Sequence, residues 1–108
     1  MQKHSIYALC EPGTLDVRYV GRTAWSLEWR LISHVTQAKK GTERNQKRPA
    51  YAWIDSVRQS GKRPDIILLA RCEETIAADA ERAWITLFID NGYDLVNVRD
   101  RNDKRVRP

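Results

Sequence analysis

Arg30 and His34 are four residues apart, so a helix that carries both presents them one turn apart on one face. A guanidinium can hold two non-bridging phosphate oxygens and stabilise charge that builds in a transition state. An imidazole can orient a hydroxyl or a water, or move a proton near neutral pH. The ordinary alternative for such a pair is a solvated helix edge. Glu81 falls at helical spacing from Ala77, Trp84, Ile85 and Phe88. A carboxylate in an apolar stripe is costly to desolvate unless a charged group or a metal meets it. The plainer reading is a partly exposed glutamate paired with Arg82 or with a neighbouring helix. Tyr7 and Tyr19 lie in strand-like segments, where tyrosine is often an ordinary half-buried sheet residue. Their chemical alternative is activating or positioning a water. For a base role, a metal or nearby cations must depress the phenol pKa from its usual value of about 10.

The elements that must position these side chains are legible in the periodicity. Alternation over Ser5 to Cys10 predicts a strand, Glu11-Pro12-Gly13-Thr14 a turn, and Leu15 to Val20 a second strand that Gly21 ends. The two tyrosines then sit on adjacent strands of an antiparallel hairpin. A first helix is predicted from about Ala24 to Ala38, with Leu27, Leu31 and Val35 as its apolar stripe and Ile32 beside it. Thr23 or Ser26 can cap it, Glu28 suits its first turn, and Lys39-Lys40-Gly41 is a stop signal. Lys39 to Arg48 lacks periodicity and carries Lys39, Lys40, Arg44, Lys47 and Arg48, which predicts a basic loop. A second helix is predicted from Pro49 to Ser60, with Ala50, Trp53, Ile54 and Val57 inward and Gly61 at its end. The continuous apolar run Ile66 to Ala70 reads as a central buried strand. A third helix from Glu74 to Asp90 carries Glu81, and Leu95 to Val98 reads as a short strand or extended segment. The order β-β-α-α-β-α predicts a small antiparallel or mixed sheet flanked by helices, an α/β layered domain.

With 108 residues the chain has room for one core, so residues 1–98 are expected to form one domain and 99–108 a charged tail. Its formal net charge of +5 favours polyanionic partners without choosing among DNA, RNA and a membrane surface. No apolar run approaches the roughly 20 residues needed to span a bilayer, and Met1-Gln2-Lys3-His4 leads into a strand pattern, not a signal sequence. Cys10 and Cys72 are far apart, with no Cys-x-x-Cys, so a zinc site is unsupported and reduced thiols in a cytoplasmic compartment are expected.

The order of the chemical residues carries a resemblance. Tyr19-Val20-Gly21-Arg22-Thr23, Leu27-Glu28-Trp29-Arg30-Leu31-Ile32-Ser33-His34, Trp53-Ile54, Gly61-Lys62-Arg63-Pro64 and Glu81-Arg82-Ala83-Trp84-Ile85 follow Ser5-Ile6-Tyr7 in sequence, and Asn97 closes the set. This layout resembles the GIY-YIG nucleases, most closely their compact phage and bacterial branch, over Ser5 to Asn97. Ser5 stands where the first glycine of the name motif is usual, and a charged run from Arg99 replaces a glycine-rich stretch.

The resemblance implies a three-stranded antiparallel sheet with helices on its sides, and a DNA endonuclease that hydrolyses phosphodiester bonds. It implies Tyr7, Tyr19, Arg30, His34 and Glu81 as catalytic residues, with Glu81 the sole protein ligand of a magnesium or manganese ion (Mg2+ or Mn2+). Magnesium tolerates one ligand because it keeps several waters and takes phosphate oxygens from substrate. Either tyrosine can be the base; Tyr7 is preferred, with Tyr19 orienting. Arg22 is expected to add a phosphate contact and Asn97 a structural hydrogen bond near the site. Lys39, Lys40, Arg44, Lys47 and Arg48 are expected to touch DNA. No segment is large enough to be a specificity domain. The chain is then a stand-alone nuclease of modest specificity, or a module that needs a protein partner, a second copy or a further C-terminal region. The competing reading is an inactive nucleic-acid- or protein-binding module on the same fold.

Overall fold

The computed structural model describes residues 3–40 and 48–97. Three strands, β1 (Lys3–Cys10), β2 (Val17–Thr23) and β3 (Asp65–Glu73), form an antiparallel sheet in the order β2-β1-β3. Three helices flank it: α1 (Leu27–Lys40), α2 (Pro49–Gln59) and α3 (Glu74–Asp90). The expected α/β architecture with a three-stranded antiparallel sheet is present.

β1 is the centre of the molecule, and Ile6 to Cys10 are all fully buried. Side chains alternate across a strand, so β1 feeds two cores. Tyr7 and Leu9 join Leu31 and Ala38 of α1 and Trp53, Ile54 and Val57 of α2 on one face. Ile6, Ala8 and Cys10 join Val17, Val20 and Leu95 on the other, with Trp84, Ile85 and Phe88 of α3 packed against them. The inward residues expected of the second helix, Ala50, Trp53, Ile54 and Val57, are all buried.

Several boundaries differ from the sequence reading, each for a physical reason. β2 begins at Val17 and runs through Gly21 to Thr23, so Gly21 does not end the strand but pairs with Tyr7 inside it. Leu15 lies in the turn and is exposed. α1 starts at Leu27 because Ser26 caps it: Ser26 Oγ accepts a hydrogen bond from the Trp29 amide (3.1 Å). Thr23 Oγ1 instead takes the Trp25 amide (3.0 Å) in the preceding turn. Lys39 and Lys40, read as the start of the loop, form the last turn of α1, where cations meet the negative end of the helix.

The apolar run in β3 is an edge strand, not the central one. Its register slips between Ile6 and Tyr7 of β1, which face Ala70 and Leu68. Leu69 is the extra residue of this bulge, and Leu69 and Ala70 both turn to the α3 core. A bulge sends neighbouring residues to the same face, so a continuous apolar run does not require burial on both faces. Leu68, left on the opposite face, is half exposed. Leu95 to Asn97 form no strand of the sheet. They brace the outer edge of β2, where the Val96 amide donates to the Arg18 carbonyl (2.6 Å). Arg44, Lys47, Val98 and the tail at 99–108 lie outside the described residues. No helix among the described residues is long and apolar enough to cross a membrane.

Candidate active site

Tyr7 and Tyr19 reach the α1 face of the sheet from neighbouring strands, and Arg30 and His34 meet them there from α1. Tyr7 faces Gly21 across the ladder, and the fit depends on glycine for space, not for backbone freedom. A Cβ at residue 21 would lie 2.5 Å from Tyr7 Oη and 2.9 Å from a carbon of the Tyr19 ring. Gly21, expected as a strand end and as part of the Tyr19 to Thr23 run, is therefore also a residue that makes room for the site. An isolated glycine within a strand pattern was the available signal.

The Tyr7 oxygen is the hub. Arg30 Nε–H donates to Tyr7 Oη at 3.3 Å, and Tyr7 Oη lies 2.6 Å from His34 Nε2. Arg30 Nη1 also donates to Ser33 Oγ (3.4 Å), which steadies the guanidinium on its own helix. His34 is buried, and its pKa is driven down from 6.5 to about 3, first by desolvation and then by the Arg30 charge. A neutral imidazole can accept at Nε2, and the Tyr7 oxygen, already accepting from Arg30, has its own hydrogen to give. With the imidazole hydrogen on Nδ1, Tyr7 Oη donates to His34 Nε2 and the hydrogen bonds run from Arg30 to Tyr7 to His34. His34 Nδ1 is buried without a hydrogen-bond partner among the described residues. Such an orphan carries a desolvation cost and marks a constrained ring.

Both phenols are held protonated. Burial raises the Tyr7 pKa most, Tyr19 raises it further, and Arg30 opposes the rise. Burial is also the largest cause for Tyr19, followed by the negative charge of Glu81, with Arg30 and Arg48 opposing. The Glu81 field acts on both tyrosines, although α3 packs on the core across the sheet. Tyr19 and His34 meet edge to face (centroids 5.3 Å apart), and the Tyr51 ring of α2 lies 6.3 Å from His34. Tyr51 carried no signal in the sequence, because only the packing of α1 on α2 brings it here.

Tyr7, Tyr19, Arg30 and His34 thus assemble, Glu81 joins them electrostatically, and Arg48 acts on Tyr19 from the start of α2. Other expected residues lie apart. Arg22 pairs with Ile6, which places it on the opposite face of the sheet from Tyr7, and it is exposed. Lys39 and Lys40 are exposed at the far end of α1, beyond His34. Asn97 is a brace: its Oδ1 accepts from the Val20 amide (3.0 Å) and its Nδ2 donates to the Val20 carbonyl (2.8 Å). It acts as a one-residue strand partner for β2 beside Tyr19.

Among the described residues no three His, Cys, Asp or Glu side chains group into a metal cage. The half-buried Glu81 carboxylate offers a hard oxygen donor near two phenols. One such donor suits magnesium, which retains waters and prefers oxygen ligands. Compared with known proteins, the chain matches no family model, no curated protein and no solved structure.

Proposed function

We propose that the chain is a metal-dependent DNA endonuclease of the GIY-YIG type. The observation that carries this reading is the Arg30–Tyr7–His34 hydrogen-bonded cluster, under the field of Glu81, on a sheet face shared with Tyr19. Arg30 is the group for the non-bridging oxygens of a phosphate. Tyr7, protonated in the resting protein, is the relay: as its oxygen takes a proton from the attacking water, its own proton passes to His34 Nε2. Burial and the Arg30 charge oppose a charged His34 in the resting protein. A phosphate bound at Arg30 adds negative charge beside the imidazole and favours the transfer. Tyr19 orients the water. Magnesium at Glu81, when bound, would supply Lewis-acid stabilisation of the leaving oxygen. DNA is the proposed partner, with a second copy or a protein partner supplying specificity or the second cut. The free thiols Cys10 and Cys72 fit a reducing cytoplasmic setting.

A plasmid-nicking assay with magnesium against chelator tests the reading. Nicking is expected with magnesium only. Glu81→Gln, which keeps shape and loses charge, is expected to abolish nicking while sparing folding and most DNA binding. No nicking by the parent protein, or equal rates in mutant and parent, would remove the nuclease or the metal assignment respectively.

A further inference from the structure

Beside the Arg30–Tyr7 cluster, an open groove of about 340 Å³ runs between β1, β3 and the start of α1. Its lining includes Lys3 and Ser5 of β1, Trp25 and Leu27 at the head of α1, and Leu68 and Arg71 of β3, and no lining residue is acidic. The groove shares the sheet face of Tyr7: Ser5 precedes Tyr7 by two positions on β1, and Leu68 and Arg71 are the β3 partners of Tyr7 and Ser5. Two strand residues span about 7 Å, so the groove begins about that far along β1 from Tyr7. Leu27 belongs to both places, since it lines the groove and packs against the core that holds Tyr7.

The groove has an aromatic wall that the fold does not use. Trp25 and Trp29 are 67% and 53% exposed, with ring centroids 5.5 Å apart and planes 32° from parallel. Leu68 adds a half-exposed apolar floor (51%). Exposed indoles in a pair leave a flat π-surface in water, and cations stand next to it: Arg71 is exposed, and Lys3 meets Glu73 at 3.0 Å in a solvent-exposed pair. Acids at the margin of this patch include Glu73 on Lys3 and Glu28, beside Trp29 on α1. A flat aromatic surface flanked by cations suits a base and its phosphate. The volume lies near the lower bound of ligand sites, about 300 Å³, which is small for a protein segment.

We infer that this groove is a nucleotide subsite that stacks one unpaired base on Trp25, backed by Trp29, and holds its phosphate between Lys3 and Arg71. That the base belongs to the strand being cut rests on the nuclease reading above. The substrate class is then DNA with a single-stranded or frayed segment next to the cleaved phosphate, because a base paired in a duplex cannot turn onto the indole.

Anisotropy titration of the full chain with a labelled ten-nucleotide thymidine oligomer tests the subsite, alongside a blunt duplex of the same length and salt. Chelator is present, so no cleavage is needed. The parent protein is expected to bind the oligomer, and Trp25→Ala to weaken that binding about 5- to 150-fold, the span of a lost base–aromatic stack. Trp25→Phe keeps a stacking ring and is expected to restore most of the affinity. Arg71→Ala is expected to weaken binding and lower its salt dependence. Thermal melts establish that each variant is folded. No binding of the oligomer by the parent, parental affinity in Trp25→Ala, or an equal loss on oligomer and duplex would each overturn the subsite. So would a concentration-dependent dimer that Trp25→Ala dissolves, since the patch would then belong to a second copy. Plasmid nicking separates the two ideas: Trp25-dependent oligomer binding without nicking leaves the subsite and removes the nuclease, and the converse removes the subsite alone.

Discussion

His34 shows how much a single residue's behaviour depends on what surrounds it. Its unfolded imidazole takes a proton as pH falls below about 6.5, whereas in the fold burial and Arg30 delay protonation to about pH 3. The folded state therefore binds fewer protons in that window. The contribution to stability is complete above pH 6.5 and is lost as pH falls from there toward 3, at up to about 1.4 kcal/mol per pH unit. His34→Gln stays neutral and can still meet the Tyr7 hydroxyl. It is expected to remove about one proton's worth of acid sensitivity between pH 6.5 and 4. Urea unfolding of parent and variant at several pH values measures this, and equal slopes would refute it. Arg30 gives a second test. Its Nε and Nη1 are both engaged, on Tyr7 and Ser33, and lysine cannot reproduce that planar fork. Arg30→Lys is expected to lower the nicking rate at saturating DNA by on the order of 10²–10³. Near-parental turnover would make Arg30 a structural residue only.

At the scale of elements, β2 is shaped by what crosses it. Gly21 lies mid-strand because the Tyr7 ring passes over it, and Asn97 ties both polar groups of Val20 one position away. An edge strand otherwise presents unpaired amides and carbonyls, so this brace and the Val96 bond to Arg18 close β2 along the side of the site. Gly21→Ala would place a methyl 2.5 Å from Tyr7 Oη, and the buried ring has no room to retreat without leaving His34. Destabilisation of about 1–3 kcal/mol is expected, the usual range for overpacking. The nicking rate of the folded variant is expected to fall as well, because the hub oxygen moves. Unfolding and nicking measured on the same preparation decide this. Parental values in both would mean that Tyr7 has more freedom than its hydrogen bonds allow.

At the scale of the whole molecule, a net charge of +5 sets a general attraction to phosphate backbones. Lys39 and Lys40 are exposed at the end of α1, away from the tyrosine cluster. On the nuclease reading their expected role is affinity and not chemistry. Each phosphate neutralised on duplex DNA contributes about 0.9 to the slope of log K against log salt. The Lys39→Ala, Lys40→Ala double variant is expected to flatten that slope by up to about 1.8 for every sequence alike. Nicking at saturating DNA is expected to stay close to parental. An unchanged slope in an anisotropy titration would mean that neither lysine contacts the phosphates.

Elements were legible in the sequence where the information is local. α3 runs from Glu74 to Asp90 as its periodicity predicts, and α2 begins at Pro49 with its inward residues as expected. Helical spacing, a proline and a cap act within a few neighbouring residues, so the sequence alone determines them. The pairing of Arg30 with His34 on one helix face was local for the same reason. Strand order was not: the apolar β3 run lies at the edge, while β1 takes the centre. Which strand is central depends on pairing between residues distant in the chain, and a bulge in one ladder resets which side chains are buried. The same separation explains the site. Tyr7 meets His34 across 27 positions, Asn97 meets Val20 across 77, and Gly21 matters through a ring on another strand. The sequence offered two tyrosines, an arginine and a histidine as candidates for chemistry. Only tertiary packing, by burying these groups and bringing His34 Nε2 and Arg30 Nε to the Tyr7 oxygen, decided which way the phenol and imidazole pKa values shift.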